Sequence, residues 1–287
     1  MRSTTLLRAA CTAAILLLSA CASNAPQQTP ASPAPTTTRA GTDDPPRSIL
    51  YVGNSFMYYN NSLHGHVRSL ASGVPAADRK RAATRGVSVT ISGSGLDWHD
   101  MASYFRPDGL GRYSFVGDNE IRFNPPGRQF DAVLMMDCSQ CPVHPELSIL
   151  FFQFAKQHSE TVRAHGAEPM FLMTWAYQDK PEMTAQLAAE YVKAGKDNNA
   201  LVVPAGLAFA QSIARRPDLN LYAADKRHPS LMGTYLAACT VAASVYKTNP
   251  VGLKYSAGLP ADVVAHLQGV AWETSQAFHA KEGRGGL

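Results

Sequence analysis

The chain has 287 residues, of which 45% are hydrophobic and 17% charged. That apolar share can bury a full core, so wholesale disorder is excluded, and no run reaches the roughly 18 apolar residues of a membrane span, which excludes a polytopic membrane protein. The net charge is +4 and falls to +2 once Arg2 and Arg8 near the start are set aside, too even a balance for a nucleic-acid binder that relies on phosphate contacts. Those two arginines flank or precede the apolar stretch Ala9–Leu18, which is long enough for an export signal and too short to cross a bilayer.

The stretch ends Leu18-Ser19-Ala20-Cys21. This resembles the lipobox of bacterial lipoproteins, where small residues precede a cysteine that is acylated and becomes the new N-terminus. The resemblance implies a signal peptide over residues 1–21 and a lipid anchor on Cys21. Several acyl chains, at about 0.8 kcal/mol per buried CH₂, give stable attachment. Residue 22 is Ala and not Asp, which resembles an outer-membrane address in the sorting pattern of Gram-negative lipoproteins. The plainer alternative is a secretory peptide cut after Ala20 or Ala22. Residues 22–46 are rich in Ala, Pro and Thr and hold no aromatic residue. Such a segment cannot bury a core and reads as an extended tether, so the folded domain is expected over 47–287.

Five apolar runs read as buried strands: Ser48–Gly53, Val87–Ser92, Asp131–Asp137, Pro169–Trp175 and Leu201–Pro204. Helical patterns lie between and after them, at Leu63–Ala71, Leu96–Phe105, Glu146–Ala164, Glu182–Lys193, Leu207–Ala214, Leu231–Tyr246 and Ala261–Ala280. In Glu146–Ala164 the apolar residues Leu147, Leu150, Phe151, Phe154 and Ala155 recur with a helical period. Arg112–Phe123 alternates around Gly117-Asp118-Asn119 and reads as an inserted β-hairpin. Strands alternating with helices imply one three-layer α/β/α domain with a mainly parallel five-stranded sheet. In such a sheet ligands bind beyond the carboxyl ends of the strands, so the residues after each strand carry the interest.

After the first strand comes Gly53-Asn54-Ser55, a serine at a strand-to-helix turn; taken alone it is as consistent with a helix cap. Before the Leu231–Tyr246 helix comes Asp225-Lys226-Arg227-His228-Pro229. An Asp and a His three apart, on a loop stiffened by proline, can face one cleft, where the carboxylate fixes the tautomer of the imidazole. Together the two blocks resemble the SGNH/GDSL hydrolase superfamily over about residues 48–247. Most members have Gly-Asp-Ser in the first block, where this chain has Gly53-Asn54-Ser55, and Asp-x-x-His-Pro in the last. The resemblance implies a flavodoxin-like three-layer fold, Ser55 as nucleophile, His228 as general base and Asp225 as its orienter.

The family also supplies an oxyanion hole from the serine N–H, a glycine N–H after the second strand and an asparagine side chain after the third. Gly93 matches that glycine best, with Gly95 as the alternative. No Gly-x-Asn-Asp follows the third strand; counted from Asp131, the asparagine position falls on Gln140, whose amide is one methylene further out. Ser139 or a backbone N–H are the alternative donors. Cys138 and Cys141 form a CxxC that can close a disulfide in an exported protein, remain as thiols, or bind metal with Asp137 and His144, although a single CxxC lacks the second pair of a zinc site. Cys239 lies in an apolar helix and reads as core. Trp98 and His99, and Trp175 and Tyr177, fall near the expected rim, as an acyl or sugar platform or as core caps.

The expected protein is a lipid-anchored esterase of the bacterial envelope, binding no nucleic acid and requiring no metal or organic cofactor. Its substrate is an acylated small molecule or glycan, with O-acetyl groups preferred by analogy with envelope relatives. An acyltransferase on the same site and a non-catalytic envelope-binding lipoprotein are the rivals.

Overall fold

The computed structural model describes residues 45–74, 85–124 and 127–283. The signal and lipobox readings, Cys21 and the tether up to residue 44 lie outside them. The sheet is built from β1 (Ser48–Gly53), β2 (Arg85–Thr90), β5 (Ala132–Met135), β6 (Glu168–Leu172) and β7 (Leu201–Val203). Its order is β2-β1-β5-β6-β7 with every neighbouring pair parallel. β3 (Tyr113–Gly117) and β4 (Glu120–Phe123) form a separate antiparallel hairpin. The chain therefore runs outward from β1 in one direction and then the other. The carboxyl ends of β1 and β5 flank the switch point, where α/β sheets of this order open a crevice.

Alternation along β1 explains the layering. Ile49 and Tyr51 point into one buried cluster, with Leu236, Val241 and Leu267, whereas Leu50 and Val52 point into the other, with Phe151, Leu187 and Tyr191. The first cluster is covered by α2 (Leu63–Ser72), α6 (Ala205–Arg215), α7 (Leu231–Tyr246) and α8 (Ala261–Lys281); the second by α4 (Ser148–Ala164) and α5 (Met183–Asp197). α7 is buried from Gly233 to Tyr246 on all sides, because α2 and α8 also pack on it. Its sequence has no polar stripe, as a helix enclosed in this way requires. Cys239 lies on it, free and buried, as the apolar surroundings predicted.

Several expected elements shift. β2 lies two residues earlier than the apolar run Val87–Ser92 because its register is set by β1, with Ser48 opposite Arg85 and Gly53 opposite Thr90. The expected strands over Asp131–Asp137 and Pro169–Trp175 end at Met135 and Leu172, where the chain turns into the crevice loops. The single helix expected at Leu96–Phe105 is a 3₁₀ turn (Leu96–Trp98) followed by α3 (Met101–Tyr104), since Asp100 caps a new helix by accepting from the N–H of Ser103. α1 (Ser55–Tyr58) and the 3₁₀ turn Cys141–Val143 are too short to leave a periodic signal.

The start of α7 is packed without slack. A Cβ on Gly233 would stand 2.3 Å from the Leu221 carbonyl oxygen and 2.9 Å from Phe209. The backbone contact cannot give, so Gly233→Ala should destabilise the domain by about 1–3 kcal/mol, the usual cost of overpacking. Urea unfolding followed by circular dichroism measures it.

Candidate active site

Ser55 opens α1 directly after β1, and as the first residue of a helix its N–H has no acceptor within the helix. Its hydroxyl donates to Nε2 of His228 over 2.7 Å. The Nδ1–H of His228 in turn donates to Asp225 Oδ2, and Asp225 Oδ1 accepts from the backbone N–H groups of Arg227 and His228, each at 3.0 Å. Partial desolvation raises the Asp225 carboxyl, but the hydrogen bonds from the His228 ring and from the two N–H groups outweigh it and hold the group at about 2. The carboxylate is thus ionised throughout the working range, and it fixes the tautomer that leaves Nε2 free to accept a proton. The three residues singled out from sequence, 173 residues apart at the Ser–His step, form one continuous hydrogen-bonded line.

The loop that carries His228 is locally determined. Lys226 takes a left-handed φ of 64° at the turn, Ala223 N–H donates to the His228 carbonyl, and Tyr222 and Pro229 form an isolated bridge. Ser230 then caps α7, accepting from the N–H of Gly233. Trp175 Nε1–H donates to the Arg227 carbonyl at 3.0 Å, and its ring stacks between Phe56 and Phe209. Trp175 and Tyr177 are therefore buried supports rather than a substrate platform. Trp98, in contrast, is 58% exposed.

Two residues that sequence reasoning passed over join the site from the turn after α1. Tyr59 stacks flat on the His228 ring at 4.3 Å. Asn60 donates through Nδ2 to the Pro229 carbonyl at 2.8 Å and to Thr234 Oγ1 at 2.9 Å, tying the serine turn to the histidine loop. The only sequence signal was the consecutive Asn60-Asn61-Ser62, all three with left-handed φ.

Asn54 is the junction of the crevice. Its Oδ1 caps α1 by accepting from Phe56 N–H, while Nδ2 donates to the Ser94 carbonyl at 2.8 Å and to the Asp137 carbonyl at 3.1 Å. One side chain thus joins the loops after β1, β2 and β5. Behind it, the Ser94 hydroxyl donates to the Gly53 carbonyl, His99 Nε2–H donates to Ser94 Oγ at 3.1 Å, and Tyr104 O–H donates to His99 Nδ1 at 3.0 Å. Burial lowers His99 to about 4, which keeps the ring neutral and able to serve as donor on one nitrogen and acceptor on the other.

Of the two glycines, Gly93 is exposed, with φ 74° and open space around it. Gly95 is buried where a Cβ would stand 2.7 Å from Asp137 Oδ1, so its role is close packing. Cys138 and Cys141 are joined by a disulfide, which occupies both sulfurs, so beside the Asp137 carboxylate they offer no thiolate to a metal. Gln140, between the two cysteines, is exposed and its amide makes no hydrogen bond among the described residues. Ser139, the alternative donor, shares a 2.7 Å hydrogen bond with the Tyr177 hydroxyl, and the Arg227 guanidinium lies over that tyrosine ring.

No family model and no curated protein matches the chain. Solved structures do. A DUF4886 family protein from Bacteroides uniformis superposes with TM-score 0.57 at 17% identity, over 79% of this chain and 93% of its own. The acetyl xylan esterase AlAXEase gives 0.50 at 11% identity, over 69% and 99%. A protein from Slackia heliotrinireducens, assigned provisionally as an SGNH hydrolase, gives 0.48 at 23% identity, over 68% and 96%. At these identities the likeness shows the fold alone: a parallel five-stranded sheet covered by helices on both faces, shared with the DUF4886 family protein and with AlAXEase.

Asp137 supplies a test of the crevice. Burial raises its carboxyl to about 6, against hydrogen bonds from the N–H groups of Cys138 and Leu96 that favour the charge. Between about pH 4 and 6 the folded state therefore holds a proton that the unfolded state has lost, and this group makes stability fall as pH rises through that window. Asp137→Asn should remove that component: the difference in unfolding free energy between variant and wild type should move in the variant's favour from pH 4 to pH 7 in paired urea titrations.

Proposed function

We propose that this chain is a serine esterase of the bacterial cell envelope, held there by a lipid on Cys21 and acting through an acyl-enzyme on Ser55. The observation that supports the esterase reading best is the line Ser55–His228–Asp225, with a 2.7 Å Ser–His hydrogen bond and a carboxylate behind the ring. In this reading Ser55 Oγ attacks the ester carbonyl carbon while its proton passes to His228 Nε2. The carbonyl oxygen becomes an oxyanion, met by the N–H groups of Ser55 and Gly93 and by the Gln140 amide as third donor. His228 then gives its proton to the departing alcohol oxygen as the C–O bond breaks. Water repeats the sequence: its proton goes to Nε2, its oxygen to the acyl carbon, and Ser55 leaves reprotonated.

For the substrate we propose an acylated sugar, with acetyl the simplest acyl group. Trp98 offers an exposed ring beside the Gly93 loop for a sugar face, and the fold is shared with an acetyl xylan esterase. The second support is analogy between folds. The Ala22 residue after Cys21 favours the outer membrane as the location.

A fluorophosphonate probe tests the nucleophile. Wild type should be labelled on Ser55 and should hydrolyse a small aryl ester; Ser55→Ala should keep its circular dichroism spectrum and lose both labelling and nearly all turnover. Labelling elsewhere, or turnover retained by Ser55→Ala, overturns the reading.

Asn54 gives a sharper expectation, because most family members carry Asp there. In this chain the Asn54 Nδ2 hydrogens point at two carbonyl oxygens. A carboxylate would face both oxygens without a proton to offer. Asn54→Asp should therefore lower kcat by about 10²-fold, the scale of loss from an ångström of misplacement, with a smaller change in KM. Steady-state kinetics on the aryl ester, beside a thermal melt, measure it.

A further inference from the structure

The β3–β4 hairpin is the part of the described chain that the esterase reading leaves unused. Its register pairs Tyr113 with Phe123 and Phe115 with Ile121. Cross-strand partners and residues two apart share a face, so these four side chains form one apolar face. They are 49%, 70%, 73% and 46% exposed in the order Tyr113, Phe123, Phe115, Ile121. The hairpin pairs with no other strand of the described chain. Two strands alone are marginal in water, and an exposed apolar face of this kind marks an interaction site.

Its location indicates the partner. The chain entering the hairpin passes Phe105, which stacks on His165 beyond the last turn of α4 and meets Phe130 edge-on. The chain leaving it passes Arg128, which donates to the Gly166 carbonyl and pairs with Asp131. Asp131 Oδ2 also accepts from the N–H groups of Arg47 and Ser48, the start of β1. Both roots of the hairpin and the entry of the N-terminal segment therefore sit at the amino end of the sheet. The catalytic line sits at the other end, about 20 Å away along the six residues of β1. Residues 22–46 could span at most about 90 Å and join the domain at this end, so an anchor on Cys21 would be attached on the side that carries the hairpin.

We infer that the Tyr113–Phe115–Ile121–Phe123 face of the hairpin inserts into the surface of the bilayer that holds the anchor, so that the active site opens away from that membrane. This rests on the lipid-anchored reading proposed above. Within the hairpin Arg112 and Arg122 are matched by Asp118 and Glu120, so attachment is apolar and independent of lipid charge and of salt.

The test uses the full mature protein reconstituted through its own anchor into vesicles of neutral phosphatidylcholine with brominated acyl chains. A Phe115→Trp variant should show a blue-shifted emission that the bromines quench, unchanged in 1 M salt. Wild type, whose exposed Trp98 stands at the catalytic end, should show little quenching. Phe115→Ser with Phe123→Ser should keep the aryl-esterase rate and, in a Cys21→Ser background, lower vesicle partitioning by at least 10-fold. Protein that floats with the vesicles while Phe115→Trp stays unquenched overturns the hairpin proposal and leaves the anchor intact. Protein that fails to float overturns the anchor and the proposal with it. Unquenched protein whose sedimentation shows dimers that the double serine variant loses overturns it in favour of a second copy of this chain.

Discussion

The side-chain amide of Asn54 sits where three crossover loops meet, and the geometry of the crevice depends on its two N–H bonds. Parallel strands end in loops that share no ladder with one another, so nothing in the sheet itself sets the spacing between the loop after β1 and those after β2 and β5. Asn54 sets it, by donating to one carbonyl on each neighbouring loop while its oxygen caps the helix that begins at Ser55. Both carbonyls and the amide are buried, where an unmade hydrogen bond is costly, so the three loops are held together at low tolerance. The polar chain from the part-buried Tyr104 through the buried His99 and Ser94 to the Gly53 carbonyl backs the same junction.

The other half of the crevice is held by stacking. His228 is gripped by Tyr59 on its face and Phe56 at its edge, and Phe56 continues into Trp175 and Phe209. Asn60 adds hydrogen bonds from the serine turn to Pro229 and Thr234. The residues proposed to carry the chemistry thus come from opposite ends of the sequence but share one immediate shell. That shell restricts the imidazole to a position from which Nε2 meets Ser55.

Much of this was legible in the sequence, and the reasons differ by element. Buried parallel strands and the all-apolar α7 announce themselves through composition, and α7 was located to the residue. Ser55, Asp225 and His228 were legible because their motif blocks are local and specific. The frame of β2 was not, because Arg85 and Gly86 join the sheet through pairing with β1 rather than through their own apolarity. Asn54 read as a departure from a family block, and only the distant carbonyls of Ser94 and Asp137 give its amide a purpose. Tyr59 and Asn60 escaped for the same reason: their partners lie more than 160 residues away. Trp175, which the sequence left open between a rim platform and a cap on the core, is a core cap, buried with its indole N–H on a backbone acceptor.

β1 has a further property. It is flanked by β2 over six paired positions and by β5 over four, with Ser55 beyond its carboxyl end and the N-terminal segment joined to its amino end. Any tension on the chain before Arg47 is therefore delivered along the axis of a central strand. A strand pulled along its axis loads the hydrogen bonds on both sides together, in shear, rather than peeling them one at a time. Force applied there would reach the serine turn only after both ladders of β1 have yielded.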